Sequence, residues 1–101
     1  NAFNDQVTLE LEASVVYRQL AIDMETLNLP GIAGWFRHQA QEEVVHAEKF
    51  IRHMTDRGAH PVIGNIAGPA GKTESVLAAF ELSLTHERRV SDAIRTAARR
   101  A

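Results

Sequence analysis

A chain of 101 residues, 45% of them apolar, supplies one hydrophobic core and is too short for two. Its net charge of -2 leaves no excess of positive charge to draw it onto nucleic acid or an anionic membrane. With no cysteine, disulfides and thiolate metal sites are excluded, so a metal would be held by carboxylate, imidazole or water, the ligands of hard and borderline cations.

No apolar run approaches the roughly 18 residues of a membrane span, and no basic segment leads into an apolar one. The expectation is a cytoplasmic protein without a membrane partner. Helical periodicity dominates the chain and is interrupted twice. A first helix is expected over about 1–28, ending at Leu29-Pro30-Gly31, and a second over about 32–58. Gly58, Gly64, Gly68, Gly71, Pro61 and Pro69 then mark an irregular crossover over about 59–72. Thr73, as N-cap with Glu74 in the first turn, opens a third helix over about 73–101.

The short first link implies antiparallel neighbours, whereas a crossover of about 14 residues can pass from one end of a helical bundle to the other. Thr96-Ala97-Ala98-Arg99-Arg100-Ala101 is still good helix sequence and carries no stop signal. Three amphipathic helices of this length leave a groove for a fourth. The expected fold is therefore all-α: three helices of a four-helix bundle, in a single incomplete domain over 1–101.

Drawn as wheels of about 100 degrees per residue, all three helices share one anomaly. On the second, Ile32, Phe36, Phe50 and Met54 lie within about 20 degrees of Glu43, with Ala40, Ala47 and Ile51 just beside it. The opposite face carries Arg37, His38, Gln41, Glu48, Lys49, Arg52 and Asp56. On the first helix, Glu10 lies among Phe3, Val7, Ala13, Tyr17, Ala21 and Met24, while Thr8, Glu12, Gln19 and Asp23 face outward. On the third, Glu87 lies among Val76, Phe80, Leu84, Val90, Ile94 and Ala98.

An ionised carboxylate left unpaired in a core costs several kcal/mol, roughly the order of a small domain's whole stability when three are counted. Each glutamate taken alone could be neutralised by a proton or by Arg18 or Arg95, but those arginines lie about 80 degrees from the stripe centres. A cation shared by all three is the more economical reading. In Glu42-Glu43-Val44-Val45-His46, His46 falls between Glu42 and Glu43 on the wheel, which gives an inward E-x-x-H pair with a second carboxylate at its flank. The motif is weak by itself. It is strong beside Glu10 and Glu87, because a Glu-x-x-His pair projecting into a bundle is how di-iron carboxylate proteins hold their metals.

These residues resemble the non-haem bacterial ferritins of the ferritin-like superfamily. The resemblance is carried by Leu9-Glu10-Leu11-Glu12-Ala13-Ser14-Val15-Val16-Tyr17, by Gly31 and the run from Trp35 to Ala47, and by Glu87, and it extends over essentially the whole chain. It implies a ferritin-like four-helix bundle with a long crossover between the second and third helices. It implies an iron-storage and detoxification subunit with ferroxidase activity, which oxidises Fe(II) to Fe(III) with dioxygen or peroxide at a carboxylate-bridged pair of irons. Glu10, Glu43 and His46 would hold the first iron, with Glu43 bridging to a second that Glu87 also binds. Glu42 would be a ligand of a third iron, and Tyr17 the tyrosine beside the centre. Bacterioferritins carry a haem-ligating methionine where this chain has Val44, so no haem is expected.

The resemblance also implies a homo-oligomeric cage assembled from two-fold dimers. Val15, Val16, Ile22 and Val45, which lie off the core stripes, supply a second apolar face for such a contact. Two other readings stay open. One is a ferritin-derived helical assembly module with weak or structural metal binding and no full ferroxidase activity; the other is a different di-iron enzyme, such as a peroxidase. Gly68-Pro69-Ala70-Gly71-Lys72-Thr73 is similar to a phosphate loop, but Ile66 replaces the first required glycine and no strand precedes it. His38, His53, His60 and His86, and the arginines of the third helix, suit solvated or interface positions, and nucleic acid is not an expected partner.

Overall fold

The computed structural model describes residues 2–69 and 71–100, with side chains placed over 4–69 and 71–95. Phe3 and Ala98 of the expected stripes lie outside the described side chains. Three helices and no strand are found among the described residues: α1 (Ala2–Thr26), α2 (Pro30–Asp56) and α3 (Val76–Arg100). The fold of the described residues is all-α, three helices packed as part of a bundle.

The helix ends follow from local chemistry. Asn28 takes a left-handed φ of 61°, and the amides of Asn28 and Leu29 donate to the carbonyls of Glu25 and Met24. This is the glycine-type C-terminal motif, with asparagine in the special position. Gly58 (φ 76°) ends α2 in the same way, its amide and that of Ala59 donating to Thr55 and Met54. Pro30 does not hold α2 back until residue 32: it sits in the first turn, where its missing N–H costs nothing, and the helix starts with it. Thr73 is not the cap of α3. The cap is Ser75, whose Oγ accepts from the Ala78 amide at 3.1 Å and whose carbonyl accepts from Ala79 at 3.1 Å.

The amide of Thr73 donates instead to Asp23 Oδ2 at 2.9 Å, while Asp23 Oδ1 accepts from Gln19 at 2.9 Å. Asp23 is therefore buried rather than outward-facing. Nearer the start of α1, Asn4 Oδ1 accepts from the Val62 amide at 3.1 Å and Thr8 Oγ1 from the Gly64 amide at 2.8 Å. The crossover is thus pinned along α1 from residue 4 to residue 23. Nineteen residues of helix span roughly 28 Å, and the eleven steps from Val62 to Thr73 reach at most about 36–40 Å, so the strap spans the distance with about a quarter of its reach to spare.

This path makes α3 antiparallel to α1 and parallel to α2. Both α2 and α3 pack on α1, while their backbones do not approach each other. They meet only through side chains: Phe80 on α3 lies 5.3 Å from Phe36 and 5.6 Å from Trp35, ring centre to ring centre, and Tyr17 stacks beneath Phe36 at 6.1 Å. The core around them is Ala13, Val16, Leu20, Ala21, Met24, Ala33, Ala40, Ala79 and Val90.

Serving two helices and a strap, α1 is buried on more of its circumference than a single stripe allows. Val16 accordingly belongs to the core and not to a dimer face, while Ile22 and Val45 are exposed as expected. The stripe of α3 is split. Ala79, Ser83 and Val90 are buried against α1, whereas Leu77, Phe80, Leu84 and Ile94 are exposed, Leu77 at 70%. The reason is that the backbone of α3 is packed closely on α1 alone, and the centre of its stripe faces the open side of the bundle, where Trp35 is also exposed.

Replacing Asp23 with alanine removes two acceptors from a buried site. We expect Asp23→Ala to lose about 1–3 kcal/mol of unfolding free energy in urea titration. Hydrogen exchange at the Thr73 amide should accelerate in the variant, and an unchanged rate would show that the strap does not depend on this anchor.

Candidate metal centre

Halfway along the bundle the three inward glutamates converge. Glu10 on α1 and Glu43 on α2 are almost completely buried. His46, one turn beyond Glu43, places Nδ1 3.6 Å from Glu10 Oε2 and 3.7 Å from Glu43 Oε2. Ligand atoms of Glu10, Glu43 and His46 all lie within 4.8 Å of one another, the spacing at which one cation could touch all three. His46 is less enclosed than its wheel position implies, with its side chain 48% exposed toward the open side.

Glu87 reaches the same region from α3 but is not part of that three-residue group. Its Oε1 accepts a 2.5 Å hydrogen bond from Tyr17 Oη, which ties α3 to α1 across the core. Glu42 stands apart: it is exposed and lies 3.5 Å from His38 Nε2 on the outer face of α2. The competing arginine partners do not reach the glutamates. Arg18 is exposed, and Arg95 pairs with Asp92 on its own helix. On the edge between α1 and α3, Arg89 lies 3.7 Å from Glu12.

Two features were invisible in the periodicity. Gln6 is fully buried and donates from Nε2 to Glu10 Oε1 at 2.8 Å. Its place four residues before Glu10, hence on the same face, was the available signal. Moreover, Glu10 Oε2, Glu43 Oε2 and Gln6 Oε1 are buried oxygens that no donor among the described residues meets. Unsatisfied buried acceptors are rare because each costs about 1–3 kcal/mol and more when charged, so two bare carboxylate oxygens facing one imidazole mark a place that fits a cation.

The electrostatics agree. Burial, followed by the hydrogen-bonding and charge of Glu10 and then of Glu87, pushes the Glu43 carboxyl up from 4.5 to about 9. Burial is also the leading cause that drives the Tyr17 hydroxyl above its ordinary value of 10, reinforced by its bond to Glu87 and by the charges of Glu87, Glu43 and Glu10. Tyr17 therefore stays a neutral donor. His86, half-buried beside Arg89, is shifted downward, by burial first and then by the arginine's charge.

A sequence model of the Ferritin-like domain family matches residues 1–101, and the chain belongs to that family. Among its relatives, the bacterial non-heme ferritin of Escherichia coli is 30% identical over 91 residues, covering 90% of this chain and 55% of the relative. That of Shigella flexneri matches to the same extent, and that of Staphylococcus aureus is 33% identical over 90 residues, covering 89% of this chain and 54% of the relative. The chain thus spans about half the length of the curated relatives it matches. Among the described residues, no helix is long and apolar enough to cross a membrane.

The raised carboxyl carries a pH signature. With its value lifted from 4.5 to about 9, folded metal-free protein holds a proton that unfolded protein releases between those limits. The resulting stability is fully present below pH 4.5 and is lost as pH rises through about 9. We expect the melting temperature of chelator-treated protein to fall across this window more steeply in wild type than in Glu43→Gln. A tenfold difference in proton affinity between folded and unfolded chains is worth about 1.4 kcal/mol, and each kcal/mol moves the melting temperature of a domain this small by about 4–8 °C. Parallel curves would contradict the assignment.

Proposed function

We propose that this chain is an iron-storage and detoxification subunit of a ferritin, a ferroxidase that oxidises Fe(II) to Fe(III) at a pair of irons bridged by Glu43. The observation that carries this reading is the pair of buried, unpartnered oxygens on Glu10 and Glu43 facing His46 Nδ1. Iron would be both substrate and cargo. Glu10, Glu43 and His46 hold the first ion, Glu43 and Glu87 the second, and Glu42 receives a third on the outer face beside His38.

Carboxylates suit this task because they stabilise both oxidation states, bridge two cations and leave positions open for the oxidant. Each Fe(II) gives up one electron. Dioxygen accepts the two electrons and two protons and leaves as hydrogen peroxide; with peroxide as oxidant, the same two electrons and two protons yield two waters. Entry of a cation displaces the proton of Glu43, so binding is favoured as pH rises. Tyr17, neutral and bonded to Glu87, keeps that carboxylate oriented beside the second ion.

The single domain would form part of a cytoplasmic homo-oligomeric cage built from two-fold dimers, with Ile22 and Val45 on the contact face and no haem or nucleic acid bound. A fourth helix closes the open side over Trp35, Phe80 and Leu84. Exposure of that side favours one second reading, an assembly module that docks through the groove and binds metal only weakly or structurally.

Anaerobic Fe(II) titration followed by oxygen, read by near-ultraviolet absorbance, separates the two. We expect two irons per chain and a rapid oxidation phase that Glu43→Ala slows by more than about 100-fold, beyond the 10–100-fold worth of an outer-shell partner. One iron or none, with no difference in the variant, would overturn the ferroxidase reading in favour of the assembly module.

A further inference from the structure

Gln6 is a fully buried amide that is only half satisfied. Nε2 donates to Glu10 Oε1 at 2.8 Å, but Oε1 of the amide has no donor. A bare buried acceptor costs about 1–3 kcal/mol, so an apolar side chain of the same length would serve the core better. The amide is better explained by its effect on Glu10. One carboxylate oxygen is engaged, and the other is left bare and directed to within 3.6 Å of His46 Nδ1. Tyr17 does the equivalent for Glu87, occupying Oε1 at 2.5 Å. Thus α1 occupies one oxygen on each flanking carboxylate, while Glu43 lies between them with its own buried Oε2 bare.

Resting on the metal-site reading above, we propose that Gln6 is a positioning residue that makes Glu10 a one-oxygen ligand. Its amide restrains Oε1, fixes Oε2 toward a divalent cation shared with Glu43 and His46, and so keeps one coordination position from being filled by the second oxygen of the same carboxylate. Without the amide, Glu10 is free to swing and chelate the cation with both oxygens. The site then gains a ligand atom from Glu10 and loses preorganisation. The substitution that tests this is Gln6→Met, which keeps length, apolarity and helix preference while removing the donor.

The probe is Co(II), added alone to the full chain under anaerobic conditions, because the intensity of its visible bands falls as coordination number rises. For Gln6→Met we expect weaker bands and affinity lower by about tenfold, the lower end of the cost of losing an outer-shell partner. Gln6→Met removes one bare acceptor and bares Glu10 Oε1 in its place, so the metal-free melting temperature should stay near wild type, and the band intensity is the readout that a merely structural role would not move. Bands identical to wild type would overturn the proposal. If wild type binds Co(II), Glu43→Ala does not, and Gln6→Met matches wild type, only the role of Gln6 fails. If wild type and Glu43→Ala take up no Co(II) alike, the metal-site reading fails with it. A second measurement needs no variant: in wild type with Zn(II), a Gln6 side-chain amide proton should stay shifted downfield by its carboxylate partner. Its return to a free-amide position on adding Zn(II) would also overturn the proposal.

Discussion

Three carboxylates facing one another in the middle of a small core set the terms for the rest of this molecule. Like charges a few ångströms apart in a low-dielectric interior cannot all ionise, and the one with acidic neighbours on both sides, Glu43, is the one whose proton is held to about pH 9. Two flanking carboxylates escape part of the penalty by accepting from neutral donors, Glu10 from Gln6 and Glu87 from Tyr17. A central carboxylate without such help must keep a proton or share a cation. The geometry of every neighbouring element either sustains this arrangement or limits its cost.

The element that sustains it is α1. It contributes Glu10, both neutral donors, and the three acceptors that hold the crossover, Asn4, Thr8 and Asp23. The other two helices lay their backbones against it and meet each other only through the rings of Phe80, Trp35 and Phe36. That makes the placement of Glu43 relative to Glu87 indirect: each is positioned against α1, and the distance between them is set by how well α1 holds its two neighbours. The crossover is long because a parallel pair of helices requires a return path the length of the bundle, and three side-chain anchors keep so much irregular backbone from floating free.

Much of this was legible in the sequence because helical periodicity is regular and the anomaly in it was repeated. Glu10, Glu43 and Glu87 stood out as charged residues at the centres of apolar stripes, and the glycines and prolines after Gly58 marked the crossover. What the wheels could not show was how many neighbours each helix has. α1 touches three things, so Asp23 and Val16, which a single stripe puts outside, are buried. α3 lays its backbone against α1 alone and meets α2 only through the Phe80 ring, so Phe80, Leu84 and Ile94, which the same logic puts inside, are exposed. Cap identity failed for a related reason: Thr73 has good cap chemistry, but its amide is taken by Asp23 fifty residues away, and Ser75 caps in its place. Gln6 was missed because an uncharged polar residue on a stripe breaks the pattern less than a charge does.

The open side of the bundle and the carboxylate cluster are not independent features. Eleven residues, about three turns, separate Trp35 from His46, and seven, about two turns, separate Phe80 from Glu87, so exposed rings and site residues share the same faces of α2 and α3. The half-exposed His46 side chain leaves this end of the cluster open to solvent, whose high dielectric weakens the repulsion between charges. Anything that covers Trp35 and Phe80 gains apolar burial but also dries the site, which makes unpaired carboxylates more expensive and a bound cation more favourable. By linkage, a cation that stabilises the dried site must in equal measure favour the covering.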